Sequence, residues 1–170
     1  MPNLLTMRPK PIPPAPGQES VWDYPRPPRV EDVTKRIRII FNSELIADTH
    51  RAKRILETSH PPNYYIPLGD VKTEFLLPST HTSHCEWKGR ARYYTLQVGD
   101  RQARNVAWDY PHISPVYEAL KGYASFYPGP MDACYVDDEK VQPQDGSFYA
   151  GWITSDIVGP FKGGPDSWGW

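Results

Sequence analysis

Cys85 is the first residue to weigh for chemistry. A thiolate is a strong nucleophile, but near neutral pH it needs a base or a positive neighbour. His84 is adjacent, yet neighbours on a strand point to opposite faces. His60, remote in sequence, is the better base. Glu57 or Asp109 could orient its ring, and Lys88 could favour the thiolate. This set would make a cysteine-dependent enzyme, with Cys85 as nucleophile and His60 as base. The plainer alternative makes Cys85 a small buried apolar residue.

The run His81-x-x-His84-Cys85-Glu86 offers donors that zinc accepts. Adjacent residues crowd one another, so tetrahedral geometry is hard to reach from this run. The expectation is histidines that are solvated or packed on aromatic rings, with no metal and no cofactor.

A third group is aromatic: Tyr64, Tyr65, Trp87, Tyr93, Tyr94, Trp108, Tyr110 and Tyr127. Rings with polar tips build cores, and they also line small-molecule pockets. Lys88, Arg54 and Arg92 could hold an anionic group beside them. Tyrosine outnumbers phenylalanine eleven to five, which favours positions with a wet edge. The expected ligand site is therefore Tyr64, Tyr65, Trp87, Lys88, Tyr94, Trp108, Tyr110 and Arg54. The ligand itself is unassigned, and plain core filling is the competing account.

These residues need a frame, and the patterning supplies strands. Ile37 to Phe41 is β-branched and apolar, Asn42-Ser43 reads as a turn, and Glu44 to Thr49 returns. Arg54 to Glu57 and Tyr64 to Ile66 are further strands. Val71 to Leu77 alternates apolar and polar residues, which predicts another. Residues 78–90 read as a polar loop. The cleanest hairpin runs from Ala91 to Val98, turns at Gly99-Asp100, and returns from Arg101 to Trp108. A second runs from Ala133 to Val136 and back through Lys140-Val141.

One short helix is expected after Ser114, a good N-cap, with Pro115 in its first turn. Val116, Ala119, Leu120 and Tyr123 would form its apolar face, and Gly122 would close it. Trp22-Asp23-Tyr24-Pro25 echoes Trp108-Asp109-Tyr110-Pro111, enough for two similar aromatic corners.

The ends differ in composition. Nine of the twenty prolines lie within the first 28 residues. Residues 1–30 therefore read as an extended arm, packed from Glu19 onward because Val21, Trp22 and Tyr24 are apolar. Residues 31–150 form a single β-rich domain. Residues 151–170 mix glycine with Trp152, Phe161, Trp168 and Trp170, and read as an ordered tail wrapping that domain. Such a tail could cover a sheet edge, cap a pocket or meet a partner.

Charge narrows the function classes. The formal charge is −1, without a basic block to neutralise phosphates, so nucleic acid is not an expected partner. No apolar run approaches the roughly 20 residues of a membrane helix. The first residues lack the apolar core of a signal peptide. Two cysteines allow at most one disulfide. A cytoplasmic protein, monomer or homodimer, with a possible small-molecule ligand is the simplest expectation. A structural or interaction module that uses the two extensions is the other alternative.

Several segments occur in an order that resembles a known family. They include Leu45 to Thr49, Arg54 to Thr58, His60-Pro61-Pro62 with Tyr64 to Pro67, and Cys85-Glu86-Trp87-Lys88-Gly89. Tyr93-Tyr94, Ala107 to Pro111, Tyr123 to Tyr127 and Met131-Asp132 complete the set. Together they are similar to domain of unknown function 427 over roughly residues 37–142, as in its longer cyanobacterial and fungal members. The resemblance implies a mainly β, β-tent-like architecture of two antiparallel sheets, and no established activity. A nucleotidyltransferase-like label sometimes attached to the family would need paired carboxylates beside a Gly-Ser loop, which this sequence lacks. Many β-tent domains hold zinc with two Cys-x-x-Cys pairs, and this chain has none.

Overall fold

The computed structural model describes residues 8–146, 148–167, 169 and 170. Met1 to Met7 of the expected arm and Trp168 of the expected tail lie outside the described residues.

The protein is mainly β. The arm contributes β1 (Glu19–Ser20), and β2 follows (Arg29–Asp32). Next come β3 (Ile37–Phe41), β4 (Glu44–Thr49), β5 (Lys53–Leu56) and β6 (Asn63–Pro67). Three long or fairly long strands follow: β7 (Leu76–Cys85), β8 (Gly89–Val98) and β9 (Arg101–Asp109). Then come β10 (Tyr123–Phe126), β11 (Ala133–Val136), β12 (Glu139–Lys140) and β13 (Gln142–Pro143). The tail carries β14 (Trp152–Ile153) and β15 (Ile157–Val158).

Two antiparallel sheets carry the fold. The larger has seven strands in the order β2-β5-β6-β10-β9-β8-β7, and the smaller has four in the order β12-β11-β3-β4. In β3, Ile37, Ile39 and Phe41 are buried and the residues between them are half-exposed, as a two-residue period requires. The β3–β4 turn puts Asn42 and Ser43 at φ 49° and 65°, the left-handed pair that suits a two-residue hairpin. Two ribbons complete the chain: β13 with β14, antiparallel, and β1 with β15, parallel.

The seven-stranded sheet has two apolar faces. One packs on the smaller sheet, joining Tyr64, Ile66, Leu96 and Phe126 to Ile37, Ile39, Phe41 and Ile46. Trp152 of the tail is fully buried in this same core, and its Nε1–H donates to the Phe126 carbonyl at 3.2 Å. The other face carries Ile55, Tyr65, Tyr93, Trp108 and Tyr110. Alternation sorts the pairs: Tyr64 and Tyr94 face one side, Tyr65 and Tyr93 the other.

The sequence reading needs four corrections. Residues 78–85 are strand, not loop: β7 is an edge strand, so most of it faces water and carries no apolar alternation. Val71 to Leu77 is not one strand; 3-10 turns occupy Leu68–Asp70 and Thr73–Phe75 before β7 begins at Leu76. The expected helix is a 3-10 segment, Pro115–Leu120. Its buried side chains are Tyr117 and Leu120, three residues apart as a 3-10 turn stacks them, while Val116 is 83% exposed. Tyr123, counted on the helical face, already begins β10, and the Ser114 side chain makes no capping bond. The two Trp-Asp-Tyr-Pro sequences also differ: Trp22-Asp23 lies in a 3-10 turn, Trp108-Asp109 ends β9.

The ends fold back on the domain. Val21 is fully buried with Tyr24, Leu56 and Ile157. The Ile12 amide donates to the Gly159 carbonyl at 2.9 Å, and the Trp22 and Trp170 rings lie 5.6 Å apart. The larger sheet begins at Arg29, just inside the segment read as arm. Among the described residues, no helix is long and apolar enough to cross a membrane.

Candidate functional site

On its second face the larger sheet leaves a cleft of about 390 Å³. Its floor and wall are aromatic. Tyr93 and Trp108 are cross-strand partners on β8 and β9, with ring centres 6.0 Å apart, and Tyr127 lies 4.9 Å from Trp108. Tyr93 Oη also meets Ser83 Oγ at 2.9 Å. Burial, then the neighbouring Tyr93, pushes the Tyr127 phenol up to about 12.

Lys88 enters this cleft from the turn between β7 and β8. Gly89 makes the turn possible, with φ at +105°, a conformation side chains disfavour. The Ser114 amide donates to the Lys88 carbonyl at 3.1 Å and pins the turn to the 3-10 segment. The side chain is then driven inward: Lys88 is only 7% exposed. Its Nζ sits 5.9 Å from the Tyr65 ring centre and 5.5 Å from that of Tyr110. Among the described residues Nζ makes no hydrogen bond and no salt bridge. Burial opposes the charge, but Tyr65, Cys85 and the more distant Glu57 outweigh it and hold the lysine above its usual range. Tyr65 itself is fully buried, and its hydroxyl has no hydrogen-bond partner among the described residues. Burial, then Tyr65, also raises the Tyr110 phenol far above its usual range, so it stays protonated.

Cys85 and His60 line the same cleft. No hydrogen bond joins the Cys85 sulfur to an imidazole among the described residues, so they form no assembled dyad. The His60 ring is fixed: Nδ1 lies 2.8 Å from the Thr58 carbonyl and 3.7 Å from Glu57. A proton on Nδ1, donated to that carbonyl, leaves Nε2 as the basic nitrogen. Burial lowers the His60 pKa, against the opposing pull of Glu57 and the Thr58 carbonyl. Both cysteines are free, and Cys134 lies in the core between the sheets, its thiol pushed up by burial. His81 packs on the Tyr93 ring at 4.6 Å, and among the described residues no three His, Cys, Asp or Glu side chains gather in metal-binding range.

Of the expected ligand residues, the structure brings Trp87, Lys88, Trp108 and Tyr110 into the cleft, with Tyr65 beneath the lysine. It separates three others. Tyr94 faces the opposite side of the sheet, where its hydroxyl donates to Asp109 at 3.2 Å. Arg54 and Tyr64 line another cavity, beside the arm. Arg54 is held there by Glu19 and Glu31 at 2.7 Å and 2.6 Å, so two carboxylates already satisfy the guanidinium. Arg92 is likewise taken by Asp109, at 2.8 Å.

The end of the domain and the tail supply lining residues that the sequence reading did not name. Tyr149, Ala150 and Lys162 all border the cleft. The approach is close at Gly151, where an added Cβ would lie 2.5 Å from Gln144 Oε1 and 2.8 Å from Pro61. The Gly151 amide donates to that same Gln144 oxygen. Interleaved glycines and rings marked the tail as ordered, but not where it would lie.

A family profile described as domain of unknown function (DUF427) matches residues 29–137. The match spans more than half the chain, and the protein belongs to this family. It covers β2 through β11 and every cleft residue up to Tyr127, whereas Tyr149, Ala150 and Lys162 lie beyond it. No curated protein matches the chain.

Proposed function

We propose that the cleft binds a small organic anion carrying a flat, unsaturated part. One observation carries this reading: Lys88 is a buried ammonium with no ionic partner among the described residues, aimed into an aromatic cleft. A buried charge is normally paired, so an anionic ligand is the natural complement. Trp108 and Tyr127 offer stacking faces. The partner is thus a metabolite-sized acid, not nucleic acid or membrane. Free thiols suit a reducing, cytoplasmic setting, and the reading fits a monomer and a homodimer alike.

A thermal-shift series with aromatic and aliphatic carboxylates and phosphates tests it. At least one aromatic acid should raise the melting temperature of the wild type and leave Lys88→Met unmoved. Equal shifts in both proteins would remove the proposal's basis.

A second reading keeps Cys85 as a nucleophile, because Cys85 and His60 share the cleft with Lys88. Its test is the rate of Cys85 alkylation by iodoacetamide. His60→Gln should slow alkylation at Cys85 and flatten its pH profile; an unchanged profile rules out this pairing.

A further inference from the structure

A second cavity, of about 340 Å³, adjoins the Lys88 cleft. Tyr93, Tyr127, Gln144 and Tyr149 line both. The far cavity holds Arg104, His81 and Asn105, and no acidic side chain lines it among the described residues. Most arginines of this protein, Arg26, Arg51 and Arg101 among them, face a carboxylate. Arg104 faces none among the described residues, although it sits on a strand surrounded by ionic pairs. Near the lysine, Glu57 is engaged by Arg26 at 3.3 Å. Free positive charge therefore stands at both ends of a shared aromatic wall.

We infer that the two cavities form one groove, whose ligand is an elongated, conjugated molecule with an acidic group at each end, one held by Lys88 and the other by Arg104. This rests on the anion-binding reading of the cleft and names its substrate class. The length follows from the strand. β9 bulges between Arg104 and Trp108, where Leu96 and Tyr94 of β8 face Ala103 and Ala107, so Arg104 lies about 7–10 Å along the sheet from Trp108. The flat middle of the molecule lies against Tyr93, Trp108 and Tyr127, and the guanidinium receives the second acid as a two-pronged donor.

The probes are stilbene dicarboxylate and stilbene monocarboxylate, titrated calorimetrically into the full chain. The wild type should bind the diacid about tenfold or more tightly than the monoacid, the gain expected of a charge-assisted hydrogen bond. Arg104 is exposed, so Arg104→Met should fold normally. That variant should bring the diacid down to the monoacid's affinity. Arg104→Lys should recover part of the preference. Equal wild-type affinity for the two acids, with monoacid binding abolished by Lys88→Met, overturns the two-ended groove and leaves the anion cleft standing. Binding of neither acid, or binding that Lys88→Met does not alter, overturns both.

Discussion

Lys88 is a burden on the fold as well as an opportunity for it. Its phenol neighbours favour the ammonium fully only when they are ionised, and burial keeps Tyr110 protonated. At neutral pH the charge therefore has phenol dipoles around it and, among the described residues, no direct ionic partner, with Glu57 acting only from a distance. Lys88→Met, similar in length and apolar, should stabilise the protein by about 1–3 kcal/mol while abolishing anion binding. Urea denaturation measures the first effect; a loss of stability would mean that Lys88 is satisfied in the free protein. The run Cys85 to Gly89 made this lysine visible in the sequence, because tyrosines and tryptophans are dense around it. The fates of Arg54, Tyr64 and Tyr94 were not visible. Tyr93 and Tyr94 differ only in parity along a strand, and parity needs the sheet's packing. The carboxylates that claim Arg54 come from β1 and β2, far away in sequence.

Elements were legible where local pattern and tertiary demand agree. The β3–β4 and β8–β9 hairpins announced themselves through their turn residues and, in β3, through strict alternation of buried and half-exposed positions. At β7 they part: its partner β8 supplies the hydrogen bonds, and Pro78 and the polar run after it leave the outer edge unsuited to further pairing. The 3-10 segment escaped because its capping residues are those of an α-helix, while the buried pair, Tyr117 and Leu120, sits at a three-residue spacing. The tail is bound into the main core by Trp152, whose ring lies 5.0 Å from that of Tyr64. Trp152→Ala should cost about 3–5 kcal/mol, as large-to-small changes in a core do. Trp152→Phe should cost less, losing chiefly the Nε1–H bond to Phe126. A chemical-denaturation midpoint that Trp152→Ala leaves unchanged would show the tail to be dispensable to the core.

Ionisation links these parts into one response to pH. Asp48, Asp70 and Asp132 are held below the usual carboxylate range, chiefly by hydrogen bonds from Arg36, Arg51 and Arg101 respectively. For Glu19 burial works the other way, and its bonds from Arg54 and Tyr24 prevail. A depressed carboxylate contributes stability above its unfolded pKa, about 4, and that stability disappears as pH falls through the folded value. His60 acts earlier. Its folded pKa is lowered, so the unfolded chain takes up this proton first, from about pH 6.5 downward. Stability should thus decline in two phases on acidification, shallow from about pH 6.5 and steep below about pH 4. His60→Gln should erase the shallow phase. Urea midpoints measured from pH 7.5 to pH 3 check this, and a flat wild-type profile between about pH 7 and 5 would contradict the role given to His60.

The parallel pairing of β1 with β15 sets how the molecule bears tension. Glu19 lies opposite Ile157 and Ser20 opposite Val158. A pull on the chain ahead of β1, against a pull on the chain beyond β15, drags the two strands lengthwise past each other. Every bond between them is then strained at once, where a hairpin would peel open one bond at a time. Stretching by these two ends loads a short shear clasp before any force reaches the strands beneath the aromatic groove.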